Sequence, residues 1–326
     1  MKYSRGEEIE WARSSLVGHW STLVTPFNSE DMIDQDGLIR NIERIRSLGA
    51  NGIGCTWGMG EFWSLTNLER RQVMEIVSDH ADGMLTGAHI THTSVKEMID
   101  FAEFAEHLEF DVLIVGAPYF ATRKAEHVEQ FIKTIAKSTN MAIMFYNSPQ
   151  FGIVLDADSL NRICKIPGVI GVKEASFNQT LSLETHQLIG KEAIISTPDE
   201  WIFFKEEELG FHQQVMFANT SDWRFDTPEE NYYVQFIEKA TQGDIDRNFY
   251  NRHLKDIKAL NDKWWGYQVQ KFGGLLPASM CKYWGTLMGL KHGHVRPPLR
   301  EMTPDEKAKL KSDLQNIRLE TTATRR

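Results

Sequence analysis

Several features that mark membrane, secreted and nucleic-acid-binding proteins are missing from this sequence. None of its apolar runs approaches the ~18 consecutive residues that a membrane-spanning helix needs. The amino-terminal segment MKYSRGEEIEWARSS is charged and lacks the apolar core of a signal peptide. With 36 Lys and Arg against 45 Asp and Glu, the net charge of −9 also argues against binding to nucleic acid. We therefore expect a cytoplasmic protein with no membrane and no nucleic-acid partner.

Cysteine is scarce as well, since Cys55, Cys164 and Cys281 are the only three and lie far apart. An odd, scattered set fits a reducing compartment better than a disulfide framework. The pair His89 and His92 lacks the carboxylate and the spacing of a zinc-binding helix. No G-x-S-x-G turn and no complete G-x-G-x-x-G loop occurs. We therefore expect no metal and no nucleotide cofactor.

The composition is otherwise that of an ordinary folded protein, with 41% hydrophobic, 25% charged and 11% aromatic residues. These values argue against disorder and against a coiled coil. A length of 326 residues suggests about two domains, although a single α/β barrel often reaches this size. The unusual feature is tryptophan, with nine residues, several of which fall in predicted loops.

Short apolar runs alternate with amphipathic segments along most of the chain. The predicted strands cover residues 19–27, 52–57, 84–91, 112–120, 142–149, 169–176, 193–200 and 214–221. The predicted helices between them cover 34–49, 67–81, 94–108, 125–138, 157–165, 178–189 and 201–209. Thr66 and Glu69 have the spacing of a capping box at the start of one helix. Apolar strands that alternate with helices favour a parallel sheet covered on its outer face.

Roughly eight strand–helix units in about 220 residues predict an α/β fold, the (β/α)8 TIM barrel. The rival, a doubly wound sheet, would carry a glycine-rich phosphate loop after the first strand, where the sequence has none. Beyond Pro228 the strand pattern stops, and the sequence predicts helices over 228–242, 245–264, 276–290 and 304–315. We therefore expect a catalytic barrel over residues 1–226 and a helical extension over residues 227–326.

In such a barrel, the chemistry takes place where the strands end at their carboxyl edge. The candidate residues are the polar ones that close each apolar run: Thr25, Gly58–Glu61, His89, His92, Tyr119, Tyr146, Asn147, Lys173, Glu174, Thr197, Asp199, Glu200 and Asn219–Ser221.

Lys173 and Tyr146 stand out in this set. The run VIGVKEAS places Lys173 in an apolar strand, where burial lowers the pKa of an amine and frees its lone pair to attack a carbonyl. The alternative is a strand-end lysine that reaches solvent. Tyr146 ends the preceding strand, so its phenol is expected near Lys173, where it would exchange protons with a carbinolamine. The alternative for Tyr146 is a packing role in the core.

The motifs VTPF, WGMGE, PYF, YNSP and VIGVKEAS occur in an order that resembles the dihydrodipicolinate synthase/N-acetylneuraminate lyase superfamily of class I aldolases. The resemblance runs from about residue 17 to about residue 315 and includes RPPL at 296–299. It implies a (β/α)8 barrel with a three-helix C-terminal extension, assembled as a homo-oligomer, either a dimer or a tetramer. It also implies an enzyme, a carbon–carbon lyase that binds pyruvate or another 2-oxo acid as a Schiff base.

By the same resemblance, Lys173 is the Schiff-base lysine, Tyr146 is the acid–base phenol, and Gly58–Glu61 is the turn that receives the carboxylate of the 2-oxo acid. No cofactor is implied, because the covalent lysine imine serves as the electron sink. The expected substrate-binding residues are Thr25, Gly58, Met59, Gly60, Trp63, Tyr119, Asn219 and Ser221.

Three departures from the family pattern argue against a dihydrodipicolinate synthase. Gly58 stands where the family carries the hydroxyl that bonds both carboxylate and tyrosine, so Thr25 or Thr56 would have to supply one. After YNSP the synthases carry an arginine that meets a dicarboxylic substrate, whereas this chain has Gln150-Phe151-Gly152. Phe120 replaces the second tyrosine of the PYY motif.

Aromatic and apolar residues fall at or just after the strand ends instead: Trp57, Met59, Phe62, Trp63, Phe120, Phe151, Trp201, Phe203 and Trp223. They either form core and subunit contacts or line the mouth of the barrel. In the second case, the partner of the 2-oxo acid is a bulky apolar or aromatic aldehyde. This resembles the hydratase-aldolase branch, which cleaves arylidene-pyruvates to an aromatic aldehyde and pyruvate. Asn219, Ser221, Asp199 and Glu200 are the candidates for positioning the water.

Two other functions stay open. A Schiff-base dehydratase of a 2-keto-3-deoxy sugar acid would need a polar pocket, which the aromatic strand ends disfavour. A catalytically lapsed, ligand-binding member of the family is suggested by Gly58 and Phe120. The presence of both Lys173 and Tyr146 weighs against that alternative.

Overall fold

Eight parallel strands form a nearly closed barrel in the computed structural model, which describes residues 2–324 and the side chains of residues 2–317. The strands are β1 Gly18–Thr22, β2 Gly52–Cys55, β3 Leu85–His89, β4 Val112–Gly116, β5 Ala142–Asn147, β6 Val169–Glu174, β7 Ile194–Ser196 and β8 Val215–Asn219. Each strand pairs with the next in the sequence as far as β7, and β1 also pairs with β8. The predicted (β/α)8 barrel is confirmed.

Helices follow the strands and cover the barrel. They are α1 Glu8–Ser15, α2 Gln35–Leu48, α3 Asn67–His80, α4 Val95–His107, α5 Ala125–Ser138, α6 Ala157–Cys164, α7 Gln179–Ile189, α8 Phe203–Leu209, α9 Ser221–Phe225, α10 Tyr232–Ala240, α11 Arg247–His253, α12 Lys255–Lys271, α13 Ala278–Leu287 and α14 Pro304–Thr324. Side-chain caps fix several helix starts, and the predicted capping box of Thr66 and Glu69 is present. Among the residues that the structure describes, no helix has the length and hydropathy of a membrane span.

The structure differs from the sequence-based prediction in three respects. The strands start within one residue of their predicted positions but end earlier, because the chain turns away from the sheet once the polar residues begin. Helices α1 and α9 were not predicted. One helix was predicted over 245–264, but the structure has two, α11 and α12, which meet at Leu254. Leu254 is buried, so the apolar pattern of the sequence continues across the break and hides it.

Side chains connect β7 to β8, the two strands at the ends of the sheet. Within residues 2–324, no backbone ladder links this pair. The Gln213 amide accepts from the Thr197 N–H at 2.7 Å and donates to the Thr197 carbonyl at 3.1 Å. The Ser196 hydroxyl accepts from the Phe217 N–H at 2.7 Å. These contacts satisfy backbone groups that a ladder would otherwise pair.

Large rings set against glycines fill the barrel interior. A Cβ atom on Gly52 would collide with the Trp20 indole, and one on Gly54 would collide with the Trp57 indole. Phe217 stacks on Trp20 with ring centroids 4.5 Å apart, and on Trp57 at 6.0 Å. The glycines are therefore required by close approach of the indoles, which a larger residue would displace.

A buried ion pair ties the C-terminal extension to the barrel. The Lys282 ammonium on α13 lies 2.5 Å from the Glu61 carboxylate, and both side chains are almost fully buried. Lys282 also donates to the His294 carbonyl at 2.6 Å. Helix α10 lies against β1, and the division into residues 1–226 and 227–326 stays a prediction.

We predict that Gly52→Ala destabilises the fold by about 1–3 kcal/mol, because its Cβ overpacks the interior against Trp20. The matched control is Gly266→Ala in the exposed part of α12, where no atom lies near the new Cβ. That change should stabilise by about 0.5–1 kcal/mol, since alanine favours a helix over glycine. Denaturant unfolding of both variants measures the difference. Equal destabilisation by both would contradict the packing explanation.

Candidate active site

A cavity of about 260 Å³ opens at the carboxyl ends of the strands, where the sequence predicts the chemistry. Of the ten residues expected to be catalytic or substrate-binding, six lie in its wall: Gly58, Met59, Tyr146, Lys173, Asn219 and Ser221. Four others, Thr25, Gly60, Trp63 and Tyr119, lie outside the residues that line it.

Lys173 lies in the cavity wall near the end of β6, directly across the sheet from Tyr146 on β5. Its side chain is only 4% exposed, which excludes the alternative of a lysine extended into solvent. The Nζ atom lies 3.5 Å from the Ala218 carbonyl and 4.4 Å from the ring centroids of both Trp57 and Tyr146. Among the residues that the structure describes, it forms no ion pair. Burial therefore holds the pKa of Lys173 well below its usual value, which favours the neutral amine.

Tyr146 is equally buried, with its ring edge-on to Phe151 at a centroid distance of 5.1 Å. Burial raises the pKa of the Tyr146 phenol to about 12, although hydrogen bonds with the Gln150 and Ser148 side chains act in the opposite direction. The phenol thus stays protonated at neutral pH and can donate a proton to a neighbouring oxygen.

The turn after β2 borders the cavity beside these two residues. It forms one short 3-10 turn over Gly58–Gly60 and a second over Phe62–Ser64. Glu61 joins the two turns in a left-handed conformation, with φ of 55°, and the ion pair with Lys282 holds its carboxylate. The turn is therefore positioned by the C-terminal extension.

The hydroxyls of Thr25 and Thr56, which were expected to replace the missing one at position 58, are bound to backbone instead. Thr25 donates to the Gly60 carbonyl at 2.8 Å, and Thr56 donates to the His89 carbonyl at 3.0 Å. Neither residue lines the cavity, and the expected replacement of the hydroxyl stays a prediction. Thr25 therefore stabilises the turn through the hydrogen bond to the Gly60 carbonyl.

Trp63 and Tyr119 lie outside the cavity and pack on Phe62. Their ring centroids are 5.3 and 6.0 Å from the centroid of the Phe62 ring. His89 and His92 have local structural partners: His89 Nδ1 lies 2.7 Å from the Thr56 carbonyl oxygen, and His92 Nδ1 accepts from the Ser94 N–H. No cluster of three metal-ligating side chains occurs within the described residues.

Tryptophans line the cavity in part. Trp57 and Trp201 do so, as predicted, whereas Trp223 is buried with its indole donating to the Thr22 carbonyl at 3.2 Å. Trp265 on α12 and Phe177 after β6 also line the cavity and were missed. Phe177 has φ of 62° and is 64% exposed, so an aromatic ring stands at the rim on a strained backbone. The helical pattern of α12 does not show which of its side chains face the barrel.

A cluster of polar side chains also lines the cavity. The buried Glu200 carboxylate accepts from the phenols of Tyr250 and Tyr233 at 3.3 and 3.5 Å, and Lys258 lies 3.8 Å away. Lys258 also pairs with Asp199 at 3.2 Å. Burial raises the pKa of Glu200 to about 7, so its carboxyl can exchange protons at neutral pH. The sequence indicated Asp199 and Glu200 but gave no sign of Lys258.

Comparison with known proteins adds to this geometry. Residues 15–317 match the model of the dihydrodipicolinate synthetase family. The chain is 26% identical to the 4-hydroxy-tetrahydrodipicolinate synthase of Methanococcus maripaludis over 93% of this chain and 99% of that enzyme. It is 29% identical to the enzyme of the same name from Methanothermobacter thermautotrophicus over 49% of this chain. That match spans 58% of the relative, little more than half its length.

The solved structure of N-acetylneuraminate lyase from Proteus mirabilis has the same fold, with a TM-score of 0.77 and 20% identity over 93% of this chain and 98% of that one. The family match covers nearly all of the barrel and the C-terminal helices. The chain therefore belongs to the dihydrodipicolinate synthetase family of enzymes.

Proposed function

We propose that this protein is a class I lyase or aldolase in which Lys173 forms an imine with a pyruvate-type 2-oxo acid. One observation carries the proposal: Lys173 is buried in a cavity wall and forms no ion pair with any described residue, and its Nζ atom lies 4.4 Å from the centroid of the Tyr146 ring. An amine in these surroundings is neutral and nucleophilic. A catalytically lapsed site would gain nothing from keeping a buried lysine that opposes folding.

In the proposed mechanism, the neutral Lys173 amine attacks the ketone carbon of the 2-oxo acid. The Tyr146 phenol donates a proton to the departing carbinolamine oxygen, which leaves as water and gives the protonated imine. The imine then accepts the electron pair of the C3–C4 bond as that bond breaks, while the Tyr146 phenolate takes the proton of the C4 hydroxyl and the aldehyde leaves. The phenol returns this proton to C3 of the resulting enamine, which restores the protonated imine. Water adds to that imine, gives up one proton to the phenolate, and releases the 2-oxo acid and the free amine, so the residues present need no cofactor for these steps.

The aromatic side of the cavity supports a bulky partner for the 2-oxo acid. Trp201, Trp265 and Phe177 line the same cavity as Lys173 and Tyr146, and flat rings of this kind bind an aryl group. We propose an arylidene-pyruvate that is first hydrated and then cleaved to an aldehyde and pyruvate. Glu200 supplies a carboxyl that exchanges protons near neutral pH for the addition of water.

The polar wall of the same cavity favours a second candidate, the dehydration of a 2-keto-3-deoxy sugar acid. Asn178, Ser182, Thr197 and Lys258 present donors and acceptors that suit sugar hydroxyls. This candidate keeps the imine on Lys173 and differs in the bond that breaks. The residues that line the cavity include more polar side chains than the aromatic residues at the strand ends led us to expect from the sequence.

We propose, too, that the protein works as a homo-oligomer, a dimer or a tetramer, in the cytoplasm. Phe120 supports the assembly, because its ring is 75% exposed and its backbone is left-handed, with φ of 63°. An exposed apolar ring loses its contact with water when a second copy of the chain packs on it, which favours association. The three free cysteines support a reducing compartment.

Borohydride reduction in the presence of pyruvate tests the imine. We predict a stable adduct on the peptide that contains Lys173, because reduction fixes the imine as a secondary amine. Mass spectrometry of the digested protein locates it. Lys173→Met, which keeps the volume of the side chain, should give no adduct. An unmodified wild-type protein, or an adduct that persists in the variant, would refute the mechanism.

The buried amine also predicts how stability depends on pH. Burial lowers the pKa of Lys173 in the folded protein below its value in the unfolded chain, so the unfolded chain binds more protons between these two pKa values. Stability contributed by this group therefore rises with pH across that window. Lys173→Met should unfold at a higher temperature than the wild type at pH 7, and the difference should shrink towards pH 10. A constant difference would show that the amine is not desolvated.

The products distinguish the two substrate classes. We predict that an arylidene-pyruvate yields free pyruvate, measured with lactate dehydrogenase, and that Trp201→Ala raises KM for it roughly ten-fold through lost aromatic contact. Tyr267→Ala, an exposed aromatic on α12, is the control. Turnover of a 2-keto-3-deoxy sugar acid without release of pyruvate would instead identify the dehydratase.

A further inference from the structure

Gln150 occupies a position in the active site that neither the proposed mechanism nor the residue pattern assigns. It lies in the short 3-10 turn Pro149–Phe151 after β5, where its N–H donates to the Ser148 hydroxyl at 3.4 Å. Its side chain lines the cavity together with Tyr146 and Gly58. The turn thus brings an amide group to the proposed acid–base residue.

The Gln150 side chain fills the space that a side chain at position 58 would take. A Cβ atom on Gly58 would lie 2.5 Å from Gln150 Oε1 and 2.8 Å from a methyl carbon of Leu276. Gly58 does not have a positive φ, so its backbone conformation is open to any residue. A side chain at position 58 would therefore have to displace the flexible ends of Gln150 and Leu276, whereas the turn itself does not require glycine.

The same amide acts on the Tyr146 phenol. Hydrogen bonding by the Gln150 side chain lowers the pKa of the phenol against the effect of burial, and the Gln150 Oε1 atom is buried with no hydrogen-bond partner in the described part of the chain. An amide carries both a donor and an acceptor, and their positions exchange when it rotates by half a turn. The amide nitrogen is therefore the end that can serve Tyr146, and Oε1 is the end that the described residues leave unsatisfied.

We propose that Gln150 positions the Tyr146 phenol for proton transfer and presents its free amide end to the bound 2-oxo acid, in the volume vacated by Gly58. This role rests on the proposed imine chemistry of Lys173. Gln150 acts through Tyr146 and is a positioning residue for that step. The pair Gly58 and Gln150 is then one unit, in which each residue depends on the other.

The rate of borohydride trapping at a series of pyruvate concentrations tests the role. We expect Gln150→Ala to lower the maximal trapping rate roughly ten-fold, as expected for loss of a hydrogen bond in the transition state, with an unchanged thermal midpoint. Gly58→Ser should be slow as well, because its side chain meets Gln150. The double variant should regain most of the rate, since the serine hydroxyl enters the vacated space. Gln130→Ala on the exposed face of α5 is the matched control.

The outcomes separate this role from the function on which it rests. No adduct in the wild-type protein would refute the imine mechanism and, with it, the role of Gln150. Trapping at the wild-type rate in Gln150→Ala would refute the role alone. A slow variant whose loss follows only a lowered thermal midpoint, with no gain in the double variant, would show that Gln150 is merely structural.

Discussion

The barrel depends on bulky rings that face glycines across its interior. Because Gly52 and Gly54 carry no side chains, the indoles of Trp20 and Trp57 fill the centre and stack on Phe217. Trp57 in turn presents its ring to the Lys173 amine. The packing that fills the core therefore also buries the amine. Folding and reactivity rest on the same aromatic layer.

Two buried lysines show how the chain treats similar charges in opposite ways. Lys282 is paired with Glu61, and although burial lowers its pKa, the nearby carboxylate opposes this effect. Lys173 has no such partner among the described residues, and burial acts on its pKa unopposed. The paired lysine fixes the turn that borders the cavity, whereas the unpaired one keeps a reactive lone pair at the expense of stability.

Much of this could be predicted from the sequence, because periodicity and strand ends are local properties. The eight strands follow from apolar runs, and Lys173 and Tyr146 meet because adjacent parallel strands end at one edge. The rest depends on distant packing. Trp265 and Lys258 lie on α12, whose sequence does not show which side faces the cavity. Trp223 follows β8 as predicted, yet its indole turns into the core. The link between Gly58 and Gln150 is invisible until both are placed in space.

The Glu61 contacts have a consequence for synthesis of the chain. Glu61 binds Lys282 through its carboxylate and also accepts from the Arg296 N–H, 235 positions further on. During translation, the carboxylate has neither partner until Lys282 and Arg296 have left the ribosome. The turn at the mouth of the cavity therefore reaches its final form only after all eight strands of the barrel have been made. A nascent barrel would be complete in outline before it could hold a substrate.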